Sequence, residues 1–180
     1  FHNQYENMID FVYNIPVEAR NRKKVTGIGG EFELRWKPVD SFNVTGSYAY
    51  LDMLDQNGDP ILYRSTHRIG LHFNYYTKII KIRLGAKGWS KQIYEFFLAD
   101  QCEQNKNDNC WIQEDNKIIF PVRELPERII YELILSREIS TYIGSFRVSN
   151  LFDTRYELIQ DFPMPGRTWK FTLTKTITEI

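Results

Sequence analysis

Residues 68 to 87 read Arg68-Ile69-Gly70-Leu71-His72-Phe73-Asn74-Tyr75-Tyr76-Thr77-Lys78-Ile79-Ile80-Lys81-Ile82-Arg83-Leu84-Gly85-Ala86-Lys87. Ile69, Leu71, Phe73 and Tyr75 alternate with Arg68, Gly70, His72 and Asn74. After Thr77-Lys78-Ile79 the pattern resumes, with Ile80, Ile82, Leu84 and Ala86 set against Lys81, Arg83, Gly85 and Lys87. Successive side chains of a strand point to opposite faces, so a period of two means two strands, each with one apolar and one polar face. A three-residue link makes them antiparallel neighbours. No stretch of the chain keeps the 3.6-residue period of a helix for more than two turns.

The same alternation spreads outward from this pair. Phe32, Leu34 and Trp36 alternate with Glu31, Glu33 and Arg35, and Phe42, Val44, Gly46, Tyr48 and Tyr50 with Asn43, Thr45, Ser47 and Ala49. Tyr5, Ile9, Phe11 and Tyr13 share a face of a first segment. Ile129 to Arg137 is a less regular sixth, with Ile130 and Ile134 on its second face. Tyr142, Phe146 and Val148 oppose Ser145, Arg147 and Ser149, and Trp169, Phe171, Leu173 and Ile177 oppose Lys170, Thr172 and Thr174. The sum is eight strands of about 9 to 12 residues, the length that crosses a bilayer at a tilt. Strands of soluble proteins are usually shorter, about 5 or 6 residues.

The links alternate strictly between long and short. The long ones are Asn14 to Lys24, Asp52 to Thr66, Tyr94 to about Glu127, and Asn150 to about Gly166. The short ones are Lys37 to Asp40, Thr77 to Ile79, and Ile139 to Thr141. Outer-membrane barrels have this layout, with short periplasmic turns and long extracellular loops. The second face carries Glu31, Glu33, Arg35, His72, Asn74, Lys81, Arg83, Lys87, Arg147 and Lys170, dense charge that suits a wet lumen. A lipocalin-type carrier would have an apolar interior and short connections. Trp36, Phe42, Tyr48, Tyr50, Tyr75, Trp89 and Tyr94 fall near strand ends, where interfacial girdles lie.

Composition agrees. In 180 residues, 42% are apolar, 15% aromatic and 26% charged, with 23 basic and 23 acidic side chains. Zero net charge gives no reason to expect a nucleic-acid partner, whose binding rests on neutralising many phosphates. No run approaches the roughly 18 to 20 consecutive apolar residues of a membrane-spanning helix. Cys102 and Cys110, in a polar segment, lack the second pair of ligands a structural zinc site needs, and read as a local disulfide. No cluster has metal spacing, and nothing calls for a cofactor. His67 and His72, five apart, face opposite ways on a strand. Ser65, His67 and Asp52 could be arranged as a catalytic set, but no oxyanion device accompanies them, so no enzyme is expected.

The C-terminal third carries a more specific signal. Phe146-Arg147-Val148-Ser149-Asn150-Leu151-Phe152-Asp153-Thr154-Arg155-Tyr156 resembles the V-x-N-L-F-D-x-x-Y segment of TonB-dependent outer-membrane receptors. Pro163-Met164-Pro165-Gly166-Arg167-Thr168-Trp169 and a final strand follow, as in that family. Upstream, Gly30-Glu31-Phe32-Glu33-Leu34-Arg35-Trp36, then Gly46 to Asp52, then Thr66-His67-Arg68 are similar to family strands in the same order. The resemblance implies an all-β antiparallel transmembrane β-barrel, this chain being the last eight strands of a 22-stranded plugged barrel. Residues 1–180 are then the C-terminal portion of the barrel domain, without plug or earlier strands. The chain departs from the family by ending on Ile180 rather than an aromatic residue.

By the same resemblance the whole protein imports a scarce solute of the ferric siderophore, haem or cobalamin class, with energy delivered through TonB. Its partners would be the rest of the barrel and the plug, TonB through that plug, the barrel-assembly machinery at the last strand, lipid and lipopolysaccharide, and a surface lipoprotein. Asn150, Leu151, Phe152, Asp153, Tyr156, Pro165, Gly166 and Arg167 form the family's structural motif. Asn and Asp there can tie a strand end into its loop by side-chain to backbone bonds. Arg20, Tyr63, Arg64, Phe97, Trp111 and Tyr156 lie in outward loops, where aromatics with Arg suit an anionic, planar or chelate-like solute. A complete eight-stranded barrel with a structural or adhesive role is the alternative.

Overall fold

The computed structural model describes residues 1–12, 18–95, 112–114, 117–119 and 122–175. Eight strands form one antiparallel sheet: β1 (His2–Val12), β2 (Glu18–Val39), β3 (Phe42–Asp55), β4 (His67–Tyr76), β5 (Lys81–Trp89), β10 (Arg128–Ile139), β11 (Tyr142–Ser149) and β14 (Thr168–Lys175). Each pairs with its neighbour in this order, and β1 and β14 are the two free edges of an open sheet. Between them, the long links hold short strands: β6 (Gln92–Glu95) with β9 (Val122–Leu125), β7 (Ile112–Glu114) with β8 (Lys117–Ile119), and β12 (Glu157–Ile159) with β13 (Phe162–Pro163).

Register carries the sequence alternation across the whole sheet. Val44 lies opposite Trp36 and Phe73, Phe73 opposite Leu84, and Leu84 opposite Leu133. Leu133 lies opposite Val148, and Val148 opposite Trp169. One face is therefore a continuous apolar surface over seven strands. Its aromatics are open to the surroundings, with Trp169 at 62% and Phe171 at 71% exposure. An apolar face this large is stable only against lipid or another apolar body. The other face runs Asn43, Asn74, Arg83, Ile134, Arg147 and Lys170 in one transverse row.

The short turns gather at one end, each closed by local bonds. Lys37 Nζ donates to Asp40 Oδ1 at 2.7 Å. Thr77 Oγ1 accepts from the Ile79 and Ile80 backbone N–H groups and donates to Ile80 O. Ser140 turns at φ 55°.

Several expectations are corrected. β2 begins at Glu18 and has 22 residues, so much of the span read as a loop from Asn14 to Lys24 is strand paired with β1. Period two is blurred there by Arg22, Lys23 and Lys24, because above the apolar band neither face needs apolar residues. The link after β5 is built around the β6–β9 hairpin rather than open chain. Trp89 has the parity of Arg83 and Lys87, so it stands on the polar face with Arg128 over its ring at 5.3 Å, not in an outer girdle. Tyr94 is buried in the β6–β9 hairpin, so it is no girdle residue either.

Candidate functional site

At the long-loop end the connections are stitched into one body. The loop after β3 is fixed first. Asp55 Oδ1 accepts from the backbone N–H groups of Asn57 and Asp59, and Asp55 Oδ2 from Arg22 Nη1 at 2.8 Å. Gly58, at φ 88°, takes the left-handed position this turn requires. Burial pushes the Asp55 carboxyl up, but the two backbone N–H groups and the Arg22 guanidinium outweigh it, leaving it below the usual range. A lowered folded-state value means the clamp is fully present above the ordinary carboxylate range, near pH 4, and is lost as pH falls below it. Protection of the Asn57 and Asp59 amides, taken relative to their intrinsic exchange rates, is therefore expected to fall on acidification below about pH 4, and Asp55→Asn is expected to flatten that dependence.

From this loop, Tyr63 (φ 57°) donates its backbone N–H to Ile93 O at 2.8 Å and stacks on Tyr94, ring centroids 6.3 Å apart. Burial pushes the Tyr94 phenol up. Gln92 joins this pair to the sheet. Its Nε2 donates to Tyr63 O at 2.9 Å, and its Oε1 accepts from Arg128 Nη2 at 2.5 Å. Gln92 and Arg128 are both buried. Arg128 donates again to Pro126 O and covers the Trp89 ring, while its Nε has no partner among the described residues.

Arg128 forms one side of a cleft of about 920 Å³ between the start of β10 and the loop from Asp153 to Gly166. Tyr156, Glu127, Arg155 and Met164 also line it. The carboxylates around it are mostly engaged. Glu124 pairs with Lys91 at 2.9 Å, Asp153 accepts from the Arg167 N–H, and Glu157 from the Asp161 N–H.

The far wall of the cleft is held by the Asn150 to Arg167 segment. Asn150 (φ 51°) and Asp153 (φ 55°) both adopt the left-handed conformation that Asn and Asp tolerate. Asn150 Oδ1 accepts from Thr154 N, and its Nδ2 donates to Thr154 O and Pro165 O. Asp153 Oδ1 accepts from Arg167 N at 2.7 Å. A Cβ on Gly166 would lie 2.6 Å from that same oxygen, so any other residue there must displace the Asp153 carboxylate. Leu151 N donates to Tyr131 O, and Phe152 meets the Tyr131 ring edge-on at 5.1 Å. Gly166→Ala is expected to expel the Asp153 carboxylate and lower stability by about 1 to 2 kcal/mol. In a double-mutant cycle it should then add little to Asp153→Ala. Thermal unfolding of the assembled barrel reads both.

Of the residues singled out by sequence, the structure brings Tyr63 and Tyr156 into this body, joined through Gln92 and Arg128. Arg64 is exposed beside Tyr63. The backbone of Arg20 lies on β2 opposite Asp10. Phe97, Trp111, Cys102 and Cys110 lie outside the described residues. Sequence reasoning missed Gln92, Trp89 and Arg128. The parity of Trp89 and Arg128 with the polar positions of β5 and β10 was a usable signal; Gln92 offered none.

The whole chain is similar in fold to solved outer-membrane receptors. The ferripyoverdine receptor of Pseudomonas aeruginosa, bound to ferripyoverdine, matches 96% of this chain at TM-score 0.70 and 15% identity, over 23% of its own length. The siderophore receptor PirA from Acinetobacter baumannii matches 96% at TM-score 0.69 and 17% identity, over 28% of its length. The copper transporter OprC matches 94% at TM-score 0.69 and 16% identity, over 26% of its length. One further match is a complex of FpvAI with pyocin S2. No family model matches the sequence, and no curated protein matches it. The chain has the fold of the barrel wall of TonB-dependent outer-membrane receptors. It spans about a quarter of the length of the receptors it matches.

Proposed function

We propose that residues 1–180 are the C-terminal portion of the barrel of an outer-membrane active transporter. It imports a scarce solute of the ferric siderophore, haem or cobalamin class with TonB-transmitted energy. The observation that carries this is the open sheet, apolar on one face and charged on the other, which overlays nearly its full length on about a quarter of the length of receptor chains. Transport needs the remaining strands to close the wall and a plug to gate it. TonB would act through that plug. The last strand is the part the barrel-assembly machinery would engage, and the apolar face would meet lipid and lipopolysaccharide. A surface lipoprotein would cover the loop end.

The solute is captured at the loop end. The 920 Å³ cleft is of ligand-binding size. Arg128 supplies a fixed cation there, and Tyr156 a flat polar side chain, a pairing that receives an anionic, planar or chelated group. To the same capture role we assign Arg20, Arg64, Phe97 and Trp111, and we pair Cys102 with Cys110 in a disulfide.

The test is twofold. The native polypeptide should run as a heat-modifiable outer-membrane band several times 21.5 kDa, and its deletion should abolish protonophore-sensitive uptake of one such solute. A heat-modifiable band near 21.5 kDa would instead favour the complete eight-stranded barrel, which the strand count alone permits.

A further inference from the structure

On the polar face, near the short-turn end, Arg83, Arg147 and Lys81 surround a recess of about 240 Å³ that also admits Ser136 and Ser145. Register builds it. Arg83 and Arg147 stand in one row on either side of Ile134, two strand spacings or about 10 Å apart. The next row toward the turns holds Lys81, Ser136 and Ser145.

One guanidinium is aimed. Arg83 Nε donates to Asn74 Oδ1 at 2.7 Å, and buried Asn74 is itself held by donating to Asn43 Oδ1 at 2.8 Å. Asn43 in turn donates to the Tyr76 hydroxyl at 3.3 Å. The chain fixes Arg83 through its Nε, leaving both terminal nitrogens without a partner among the described residues. Arg147 likewise has none. By register the carboxylate nearest the two guanidiniums is Glu132, one row further up on β10, opposite Gly85 and Ser149, where its side chain lies over Gly85 and pairs with neither arginine among the described residues. Glu138, beyond the Lys81 row, reaches only Lys81, at 3.7 Å on an exposed edge. Three cations, two hydroxyls and no enclosed carboxylate leave a surplus of donors. Like charges held this close are stabilised by an anion between them.

We propose that this recess is an oxyanion site, taking a carboxylate or phosphate group between Arg83 and Arg147, with the two serine hydroxyls as further donors. It rests on the transporter reading only in placing this face inside a barrel. The group comes from a free solute or from an acidic side chain of the body that fills the lumen.

The experiment uses the full native polypeptide in detergent, once a heat-modifiable band shows that the barrel is folded, so loss of the barrel and loss of the site are told apart. Inorganic phosphate is titrated calorimetrically at low salt into the wild type, R83Q/R147Q, and K87Q as a lumen cation outside the recess. Urea release of the lumen-filling segment is followed by limited proteolysis in the same three proteins. Saturable phosphate binding, weakened about tenfold or more in R83Q/R147Q and unchanged in K87Q, establishes a site open to solute. Absence of phosphate binding, with earlier urea release in R83Q/R147Q but not in K87Q, establishes a site filled by the protein's own carboxylate. No phosphate binding and unchanged release, or equal effects of K87Q, overturns the proposal.

Discussion

Replacing Asn150 with alanine is expected to destabilise the wall by about 3 kcal/mol, the largest loss from any single side chain in the loop that follows β11. The side chain is 4% exposed and bonds both the N–H and the C=O of Thr154, besides Pro165 O. Truncation leaves these backbone groups unpaired in a water-poor site, each costing about 1 to 3 kcal/mol. Alanine must also hold φ near 51°, which costs roughly 1 kcal/mol more than asparagine does. The check is the temperature at which the folded band of the full polypeptide converts to the unfolded one. Asn150→Asp should recover part of the loss, because it restores the acceptor for Thr154 N but not the donor. Equal losses in both variants would mean the donor bonds dominate. No loss in either would remove Asn150 from the account.

Gln92→Leu is expected to have the second largest effect, about 2 to 3 kcal/mol, felt at the loops rather than across the wall. Leucine fills the space but offers nothing to Arg128 Nη2 or Tyr63 O. A buried guanidinium that has lost its acceptor is costlier than one that never entered. The loop after β3 should detach from the β6–β9 hairpin. Protease nicking near residues 61–66 and amide exchange at Tyr63 would rise, while exchange in β4 and β5 stays unchanged. Arg128→Met with Gln92→Leu should be milder than Gln92→Leu alone, since it removes the stranded charge.

The wall was readable because one physical rule governs most residues in it. Lipid outside and water inside demand a period of two, and Ile69 to Tyr75 or Ile80 to Lys87 obey it without exception. Where lipid ends, the rule lapses. Glu18 to Lys24 form strand yet look like loop, and Trp89 appears interfacial while facing inward under Arg128. The loop body was legible only as composition. The Tyr63 and Tyr156 side chains mark an aromatic surface, but the residue that ties Tyr63 to Arg128, Gln92, sits in no pattern. Its role depends on three chain segments meeting, which no local spacing records. The Asn150 to Gly166 motif lies between these cases. Its turn-formers were visible, while the closeness of Gly166 to Asp153, whose carboxylate accepts from the N–H of Arg167 14 residues on, needed coordinates.

The length of β2 has a consequence for what meets the cell from outside. At about 3.3 Å per residue its 22 residues measure some 70 Å, against an apolar band about 25 Å tall. Even tilted, the β1–β2 ribbon reaches well beyond such a band at the long-loop end. On the transporter reading proposed above, anything large approaching from outside would touch this ribbon before it touched the wall. Its residues could then drift without disturbing the apolar wall, so the fastest-changing part of this segment should be a strand rather than a loop.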